Sequence, residues 1–265
     1  MFTRLVHEAG VLPRRASNAL VRDVFEAAFD ILKQGGSRDE YIYKAALTHR
    51  ILMGRHNLRT ACMLSEFRVG ECKADIAILN GTTTVFEIKS ERDSLSRLER
   101  QIENYRKVFA SVFVIAGENH VDALLQSTPS DVGVMSLDHR CYISTRRDAE
   151  NRPSRICPVT VFEALRTTEA EKVLSSIGLM VPDVPNTLLR TELRKLFESL
   201  HPEDVHAGML RVLKQTRNLQ PLATLVGQLP ESLQAAALSV PLRRGDHDRL
   251  VSAVNTPLTH ALAWS

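Results

Sequence analysis

The sequence lacks the features that mark several large classes of protein. Its 265 residues include only four cysteines, and none of them forms a Cys-x-x-Cys pair. We therefore expect neither a disulfide scaffold nor a cysteine-ligated zinc site, and reduced thiols favour a cytoplasmic protein. No apolar run approaches the ~18 residues that a membrane-spanning helix needs, and the first residues do not resemble a secretory signal. No membrane association is expected.

A large excess of charge of one sign is also missing. Lys and Arg together number 34 and Asp and Glu 31, which leaves a formal net charge of +3. With 44% hydrophobic residues, the chain has the composition of a globular protein with its own core, so wholly disordered and collagen-like proteins are excluded. The slight positive charge is a weak indication of a polyanionic partner.

Two helices are predicted in the first 60 residues. Apolar side chains at spacings of three and four indicate a helix over residues 21–32, which Gly35-Gly36 ends. Ser37 is a suitable cap for a second helix over residues 38–52. Two helices joined by a glycine turn are also typical of helix-turn-helix DNA readers, so a transcription regulator is one alternative.

The pattern then changes to short strands, and the chain as a whole predicts an α/β protein of two parts. The first part spans residues 1–145, and a helical C-terminal domain spans residues 156–265, after a polar linker over residues 145–155. In the first part, strands are expected over 64–69, 73–79, 83–88, 112–116 and 132–137, and helices over 93–109 and 120–126. In the second part, helices are expected over 160–177, 187–200, 202–215, 221–238 and 246–254, with a break at Pro230.

Acidic residues recur in the three consecutive strands. A two-residue turn at Gly70-Glu71 places Glu66 directly opposite Asp75. A three-residue loop after Leu79 places Asp75 opposite Glu87, whereas a strict two-residue Asn-Gly turn sends Glu87 to the other face. With the first register, three carboxylates form a cross-strand row, and Lys89 lies one step along the same face.

Such a row suits a hard divalent cation, because the ion relieves the repulsion between carboxylates. Mg²⁺ typically binds one or two carboxylates, keeps several waters and accepts phosphate oxygens from a substrate. A neighbouring lysine orients or deprotonates the attacking water and screens charge that develops on the phosphate. The row therefore predicts metal-dependent phosphodiester hydrolysis, with Mg²⁺ as the cofactor and Mn²⁺ as a substitute.

The motif of Asp75, eleven intervening residues and Glu87-Ile88-Lys89 resembles the PD-(D/E)XK, or restriction-endonuclease-like, nuclease superfamily. The segment from Gln101 to Tyr105 resembles the Gln-x-x-x-Tyr helix motif of RecB-type nucleases in that superfamily. The longer pattern over residues 87–105 resembles a group of small, largely uncharacterised bacterial and phage proteins. The resemblance covers about residues 60–137 and implies a restriction-endonuclease-like core, with a mixed central sheet flanked by helices.

The resemblance also implies a role for each matching residue. Asp75 and Glu87 would be metal ligands, assisted by the Ile88 carbonyl and by Glu66 as an additional acidic group, and Lys89 would be the catalytic lysine. Substrate contacts would come from four residues, namely Ser90, Arg97, Gln101 and Tyr105. One departure is Ala74, which stands where many members have proline.

Several alternatives remain open at this point. The charged row is also compatible with surface ion pairs or with a retained site that no longer catalyses. Gln101 and Tyr105 are compatible with simple packing on the sheet, and Arg97 with a helix salt bridge to Asp93. The expected substrate is DNA, although RNA is not excluded. The rival hypothesis is a catalytically silent module of phage or mobile-element origin that binds nucleic acid or protein, and a homodimer or a partner on the C-terminal helices is left open.

Overall fold

A six-stranded sheet forms the centre of the protein, and its strands follow one another across the sheet in chain order. The computed structural model describes residues 4, 6, 10, 18–34 and 38–264. The strands are β1 (Cys62–Val69), β2 (Cys72–Asn80), β3 (Thr82–Lys89), β4 (Ser111–Gly117), β5 (Gly133–Leu137) and β6 (Ile143–Arg147). The β3–β4 and β4–β5 pairs are parallel and the other three pairs are antiparallel, so the sheet is mixed. This confirms the predicted α/β class.

Helices cover both faces of this sheet. The helices before residue 156 are α1 (Val21–Leu32), α2 (Glu40–Leu47), α3 (Leu98–Arg106) and α4 (Val121–Ser127). A π-helical turn, Thr48–Leu52, continues α2. The helices after residue 156 are α5 (Pro158–Ala164), α6 (Thr167–Ser176), α7 (Asn186–Glu198), α8 (Pro202–Thr216), α9 (Ala223–Gln228), α10 (Glu231–Ser239), α11 (His247–Val254) and α12 (Leu258–Ala261). None of the described helices has both the length and the apolarity that a membrane crossing demands.

Two hydrophobic cores lie on opposite faces of the sheet. One contains buried residues of α3 together with residues of α5 to α8, among them Tyr105, Phe162 and Phe197. The other contains buried residues of α2, among them Ile42 and Leu47. Helices after residue 156 therefore pack on the same core as the strands. The division into residues 1–145 and 156–265 stays a prediction.

Two elements before residue 156 differ from their predicted bounds. The helix expected from residue 93 begins at Leu98, because the Asp93 carboxylate accepts hydrogen bonds from both the Ser90 N–H and its hydroxyl. The linker expected from residue 145 begins later, because residues 145–147 belong to β6. This strand has exposed positions and lies at the edge of the sheet, where charged side chains are common.

Two of the predicted C-terminal helices are each divided in the structure. The break at Pro230 is confirmed, since α9 ends before it and α10 begins after it. The helix expected over residues 160–177 is divided into α5 and α6, because the Glu169 carboxylate accepts a hydrogen bond from the Arg166 N–H and starts a new helix there.

The first two helices do not favour a DNA-reading helix pair. The predicted glycine turn at Gly35-Gly36 and the predicted cap Ser37 lie outside the described residues. In the described part of the chain, the Asp39 side chain caps the start of α2. Ile42, Tyr43 and Leu47 of α2 are at most 1% exposed. A recognition helix presents its side chains to the bases, so the burial of α2 argues against the helix-turn-helix hypothesis.

Candidate active site

The register of the first three strands is the predicted one. Val69 pairs with Cys72 across the Gly70-Glu71 turn, and this register continues to Cys62 opposite Leu79. Leu79 pairs with Thr83, as the nuclease hypothesis requires. The loop itself is shorter than the three residues expected, because Asn80 also pairs with Thr82 and leaves only Gly81, with φ of 71°, at the turn. The register places Asp75 opposite both Glu66 and Glu87.

The strands are distorted at Glu66 and Asp75. Glu66 has φ of 53°, a left-handed conformation that is uncommon for a residue with a side chain. Leu64 and Phe67 are three residues apart, yet both belong to the core beneath α3, and Ala74 and Ala77 repeat this spacing on β2. Regular alternation sends residues three apart to opposite faces. In both strands, the alternation of side chains between the two faces therefore shifts by one residue at the level of these two acidic residues, while the pairing register stays the same.

Asp75 lies where β2 separates from β3. The last paired residues on this side are Ile76 and Phe86. Beyond them, the Ile88 main-chain N–H donates a hydrogen bond of 2.7 Å to Asp75 Oδ2. The Asp75 side chain thus continues the contact between strands where main-chain pairing stops. The proposed role of the Ile88 carbonyl stays a prediction.

A second, more buried group surrounds Glu87. Glu87 is 2% exposed and Lys89 is 5% exposed. The Lys89 ammonium donates to Glu87 Oε1 at 2.8 Å and to Gln101 Oε1 at 3.0 Å. The Gln101 side-chain amide also donates to Glu87 Oε1. The Tyr105 hydroxyl lies 2.7 Å from Glu87 Oε2 and 2.8 Å from the Lys73 carbonyl oxygen.

This network gives Gln101 and Tyr105 contacts with Glu87, and their substrate roles stay predictions. The two residues are one turn apart on α3, and both reach the Glu87 carboxylate, as their shared helix face predicts. Burial, reinforced by the negative charge of Glu87, raises the pKa of Tyr105 well above its usual range. Its hydroxyl therefore keeps its proton and serves as a hydrogen-bond donor to one of its two oxygen neighbours at a time.

The remaining predicted substrate residues, Ser90 and Arg97, lie in the segment between β3 and α3. The Ser90 side chain is engaged, since its hydroxyl donates to Asp93 Oδ2 at 2.7 Å. Arg97 is the exposed residue that precedes α3, and its carbonyl accepts a hydrogen bond from the Gln101 N–H. The alternative of a salt bridge between Arg97 and Asp93 within one helix is not supported, because Asp93 lies before the helix begins. Its carboxylate accepts hydrogen bonds from Ser90. The substrate roles of Ser90 and Arg97 stay predictions.

An acidic group on the other side of Asp75 includes Glu40, a residue that no sequence motif indicated. Single carboxylate oxygens of Glu40, Glu66 and Asp75 all lie within 4.8 Å of one another. The Lys44 ammonium stands 2.5 Å from Glu40 Oε1 and 2.9 Å from Glu66 Oε1. Glu40 and Lys44 are one turn apart on α2, a spacing that signals a helix ion pair and gives no indication of a distant strand.

The electrostatics of this group centre on Asp75. Burial raises its pKa to about 7, with the negative charge of Glu87 as the next cause. The pKa of Lys44 is also raised, because Glu40 and Glu66 outweigh the opposing effect of its own burial. Oxygen ligands of this kind fit a hard divalent cation. The residues able to hold one are Asp75, Glu66 and Glu40, whereas Glu87 is already bonded to Lys89, Gln101 and Tyr105.

The chain is similar in sequence to a bacteriophage protein. Residues 33–224 match the protein family described as bacteriophage P4 protein cII. Protein cII of Enterobacteria phage P4 is 32% identical over 100 residues, which cover 37% of this chain and 34% of that protein. The match thus spans about a third of the length of that relative. A solved structure, the SPO1766 protein of unknown function from Silicibacter pomeroyi, has 17% identity and a TM-score of 0.35, and the match covers 51% of this chain and 88% of that one.

Proposed function

We propose that this chain, which belongs to the bacteriophage P4 protein cII family, is a metal-dependent nuclease of the PD-(D/E)XK type that acts on DNA. The observation that carries the proposal is the position of Asp75. Its carboxylate accepts a hydrogen bond from the N–H of Ile88, the residue between Glu87 and Lys89 in the chain. This contact lies at the point where β2 and β3 separate. A predicted metal ligand from one strand thus lies beside the Glu-x-Lys segment of the next.

The proposed ion is Mg²⁺, with Mn²⁺ as a substitute, and Asp75, Glu66 and Glu40 would hold it. When bound, it would lower the pKa of a coordinated water and polarise the scissile phosphate. To admit the ion, Lys44 would release Glu40 and Glu66, because its ammonium lies within hydrogen-bond distance of both carboxylates. The Ile88 N–H keeps Asp75 oriented during that exchange.

Lys89 is suited to act on the phosphate or on the attacking water. Glu87 and Gln101 accept two of the three N–H groups of its ammonium, which leaves one for the reaction. Because both partners are fixed by further hydrogen bonds, the ammonium is oriented before a substrate arrives. Such a preorganised charge lowers the barrier without reorganisation during the reaction. Glu87 and Gln101 are positioning residues in this scheme, as is Tyr105.

A substrate panel tests the proposal. The purified full chain is incubated with end-labelled single-stranded DNA, duplex DNA and RNA, each with Mg²⁺, Mn²⁺ or EDTA. Lys89→Ala is the test variant, and Lys73→Ala is the matched control, because the Lys73 side chain is exposed on β2. We expect cleavage of DNA that EDTA and Lys89→Ala abolish and that Lys73→Ala retains. Equal cleavage by wild type and Lys89→Ala would refute the proposed role of Lys89.

A second candidate is the catalytically silent module. It is favoured by the Lys44 ammonium, which already pairs with Glu40 and Glu66, and by the hydrogen bonds that occupy Glu87. Such a module would bind nucleic acid or a partner protein equally well in EDTA and in Mg²⁺. Filter binding of radiolabelled DNA under both conditions, with cleavage followed in the same samples, separates it from the nuclease.

A further inference from the structure

A basic cavity lies apart from Asp75, Glu87 and Lys89. It has a volume of about 410 Å³ and lies between α1, the end of α2, the β5–β6 connection and α10. Its floor is apolar and includes Ile42, Ala45 and Ala46. Small-molecule pockets commonly measure roughly 300–1,000 Å³ and combine an apolar lining with a few polar groups. The size is therefore that of a ligand pocket.

Cationic side chains surround the cavity. Lys33, Arg50 and Arg140 line it, and Glu231 is the one acidic residue among the residues that line it. The Lys33 ammonium also lies 3.5 Å from the Asp30 carboxylate. Glu231 faces the His49 ring at 3.5 Å, and it is itself 57% exposed. Both Arg50 and Arg140 are exposed. The cavity therefore favours a ligand that carries negative charge.

A cation–π pair stands beside the cavity. The Arg50 guanidinium lies 4.5 Å from the centre of the Tyr142 ring, and Tyr142 is 52% exposed. A guanidinium plane that rests on an aromatic ring offers its other face to a further flat group. Nucleobases commonly stack on arginine planes and aromatic side chains in this way.

The local backbone is unusual on both sides of this cavity. The π-helical turn carries both His49 and Arg50, and such turns are frequent at functional sites. Cys141, on the opposite wall, has φ of 58°.

From these features we infer that the cavity is a nucleotide-binding site. Arg50, Arg140 and Lys33 would hold the phosphate, and the base would stack on the Arg50 guanidinium. The chemistry recognised is a nucleoside monophosphate, whether free or at the end of a strand. This inference does not depend on the proposed nuclease activity, because no residue named in it belongs to the candidate active site.

Calorimetric titration of the full chain in EDTA tests the inference. The probes are AMP, CMP and adenosine, together with one oligonucleotide prepared with and without a 5′-phosphate. EDTA removes divalent cations, so the acidic group cannot bind the phosphates through a metal. Arg50→Ala and Arg140→Ala are the test variants, and Arg59→Ala, which replaces an exposed arginine that does not line the cavity, is the matched control.

We expect AMP to bind at least about tenfold more tightly than adenosine, since a charged hydrogen bond commonly contributes that factor. Each test variant should weaken AMP binding by about tenfold or more, while Arg59→Ala binds as wild type. Tighter binding of the phosphorylated oligonucleotide, lost in the same variants, would assign the site to strand ends; indifference to that phosphate would assign it to free nucleotides. Equal affinities for AMP and adenosine, or test variants that bind AMP as wild type does, would overturn the inference.

Discussion

The Ile88 main-chain N–H donates a hydrogen bond of 2.7 Å to the Asp75 carboxylate, where β2 and β3 cease to pair. This contact holds a partly buried acidic group between Glu87 on one side and Glu66 on the other. Burial and the neighbouring negative charge disfavour its ionised form. The stability of the protein should therefore depend on the state of this one side chain.

The first prediction concerns pH. The pKa of Asp75 is raised to about 7 from its usual 3.8, so the folded chain holds this proton more tightly than the unfolded chain does. The resulting stabilisation is complete below pH of about 4 and is lost as the pH rises through about 7. Asp75→Asn cannot ionise, and its amide oxygen still accepts from Ile88. We expect it to be more stable than wild type at pH 8, by a margin that shrinks toward pH 5.

Urea unfolding at pH 5, 6, 7 and 8 measures this difference. The matched control is Asp148→Asn, because Asp148 is exposed and its replacement should not change the pH dependence. A constant difference between Asp75→Asn and wild type across this range would show that Asp75 is already ionised at pH 5.

The second prediction concerns cation binding. An ion that binds only the folded chain raises its melting temperature by mass action. Mg²⁺ should therefore stabilise the wild type, and it should stabilise Asp75→Asn and Glu40→Gln much less. Thermal melts with and without Mg²⁺ measure the shift. If the shift in Asp75→Asn equals that in wild type, the ion binds elsewhere.

The third prediction concerns the buried pair of Glu87 and Lys89. Removal of one partner leaves the other charge buried and unpaired, which commonly costs about 3–5 kcal/mol. Lys89→Met should therefore destabilise the fold strongly, whereas the double variant Glu87→Gln, Lys89→Met should recover much of the loss. Neither variant should cleave DNA, since both lack the ammonium. Chemical denaturation and cleavage assays on the same samples separate the two effects, and a double variant as unstable as Lys89→Met would refute the pairing argument.

Much of the strand arrangement followed from local signals in the sequence. Gly70-Glu71 fixes where β1 reverses and so fixes the register of Glu66 against Asp75. Asn80-Gly81 marks the next reversal but leaves two registers open for Glu87, and only the observed turn at Gly81 selects the one that places it opposite Asp75. The start of α3 did not follow from the apolar pattern, because Asp93 and the serines around it make side-chain hydrogen bonds that compete with a helix.

The contributions of Glu40 and Lys44 could not be predicted in the same way. Their contact with Glu66 joins α2 to β1 across the intervening chain, and no turn or periodicity encodes that packing. The left-handed conformation of Glu66 was equally unforeseeable, since glutamate carries no preference for it. Long-range packing therefore determined which acidic residues surround Asp75.

The fourth prediction concerns Arg97, the exposed residue at the start of α3. If it contacts a substrate phosphate, Arg97→Ala should weaken DNA binding and reduce the slope of log affinity against log salt by about 1. Turnover at saturating DNA should stay nearly normal, in contrast to Lys89→Ala, for which we expect a loss of two or more orders of magnitude, roughly 3 kcal/mol. Salt titrations of DNA binding in EDTA, with Arg59→Ala as control, provide the measurement. An unchanged salt slope would exclude the phosphate contact.

Single-turnover cleavage by Asp75→Asn tests the central claim most directly. Wild type, Asp75→Asn and the exposed control Asp148→Asn are compared on the same end-labelled DNA in Mg²⁺, after melting temperatures have established that all three are folded. We expect Asp148→Asn to cleave at the wild-type rate, while Asp75→Asn loses two or more orders of magnitude, roughly 3 kcal/mol of transition-state stabilisation. Cleavage by folded Asp75→Asn at the wild-type rate would contradict it.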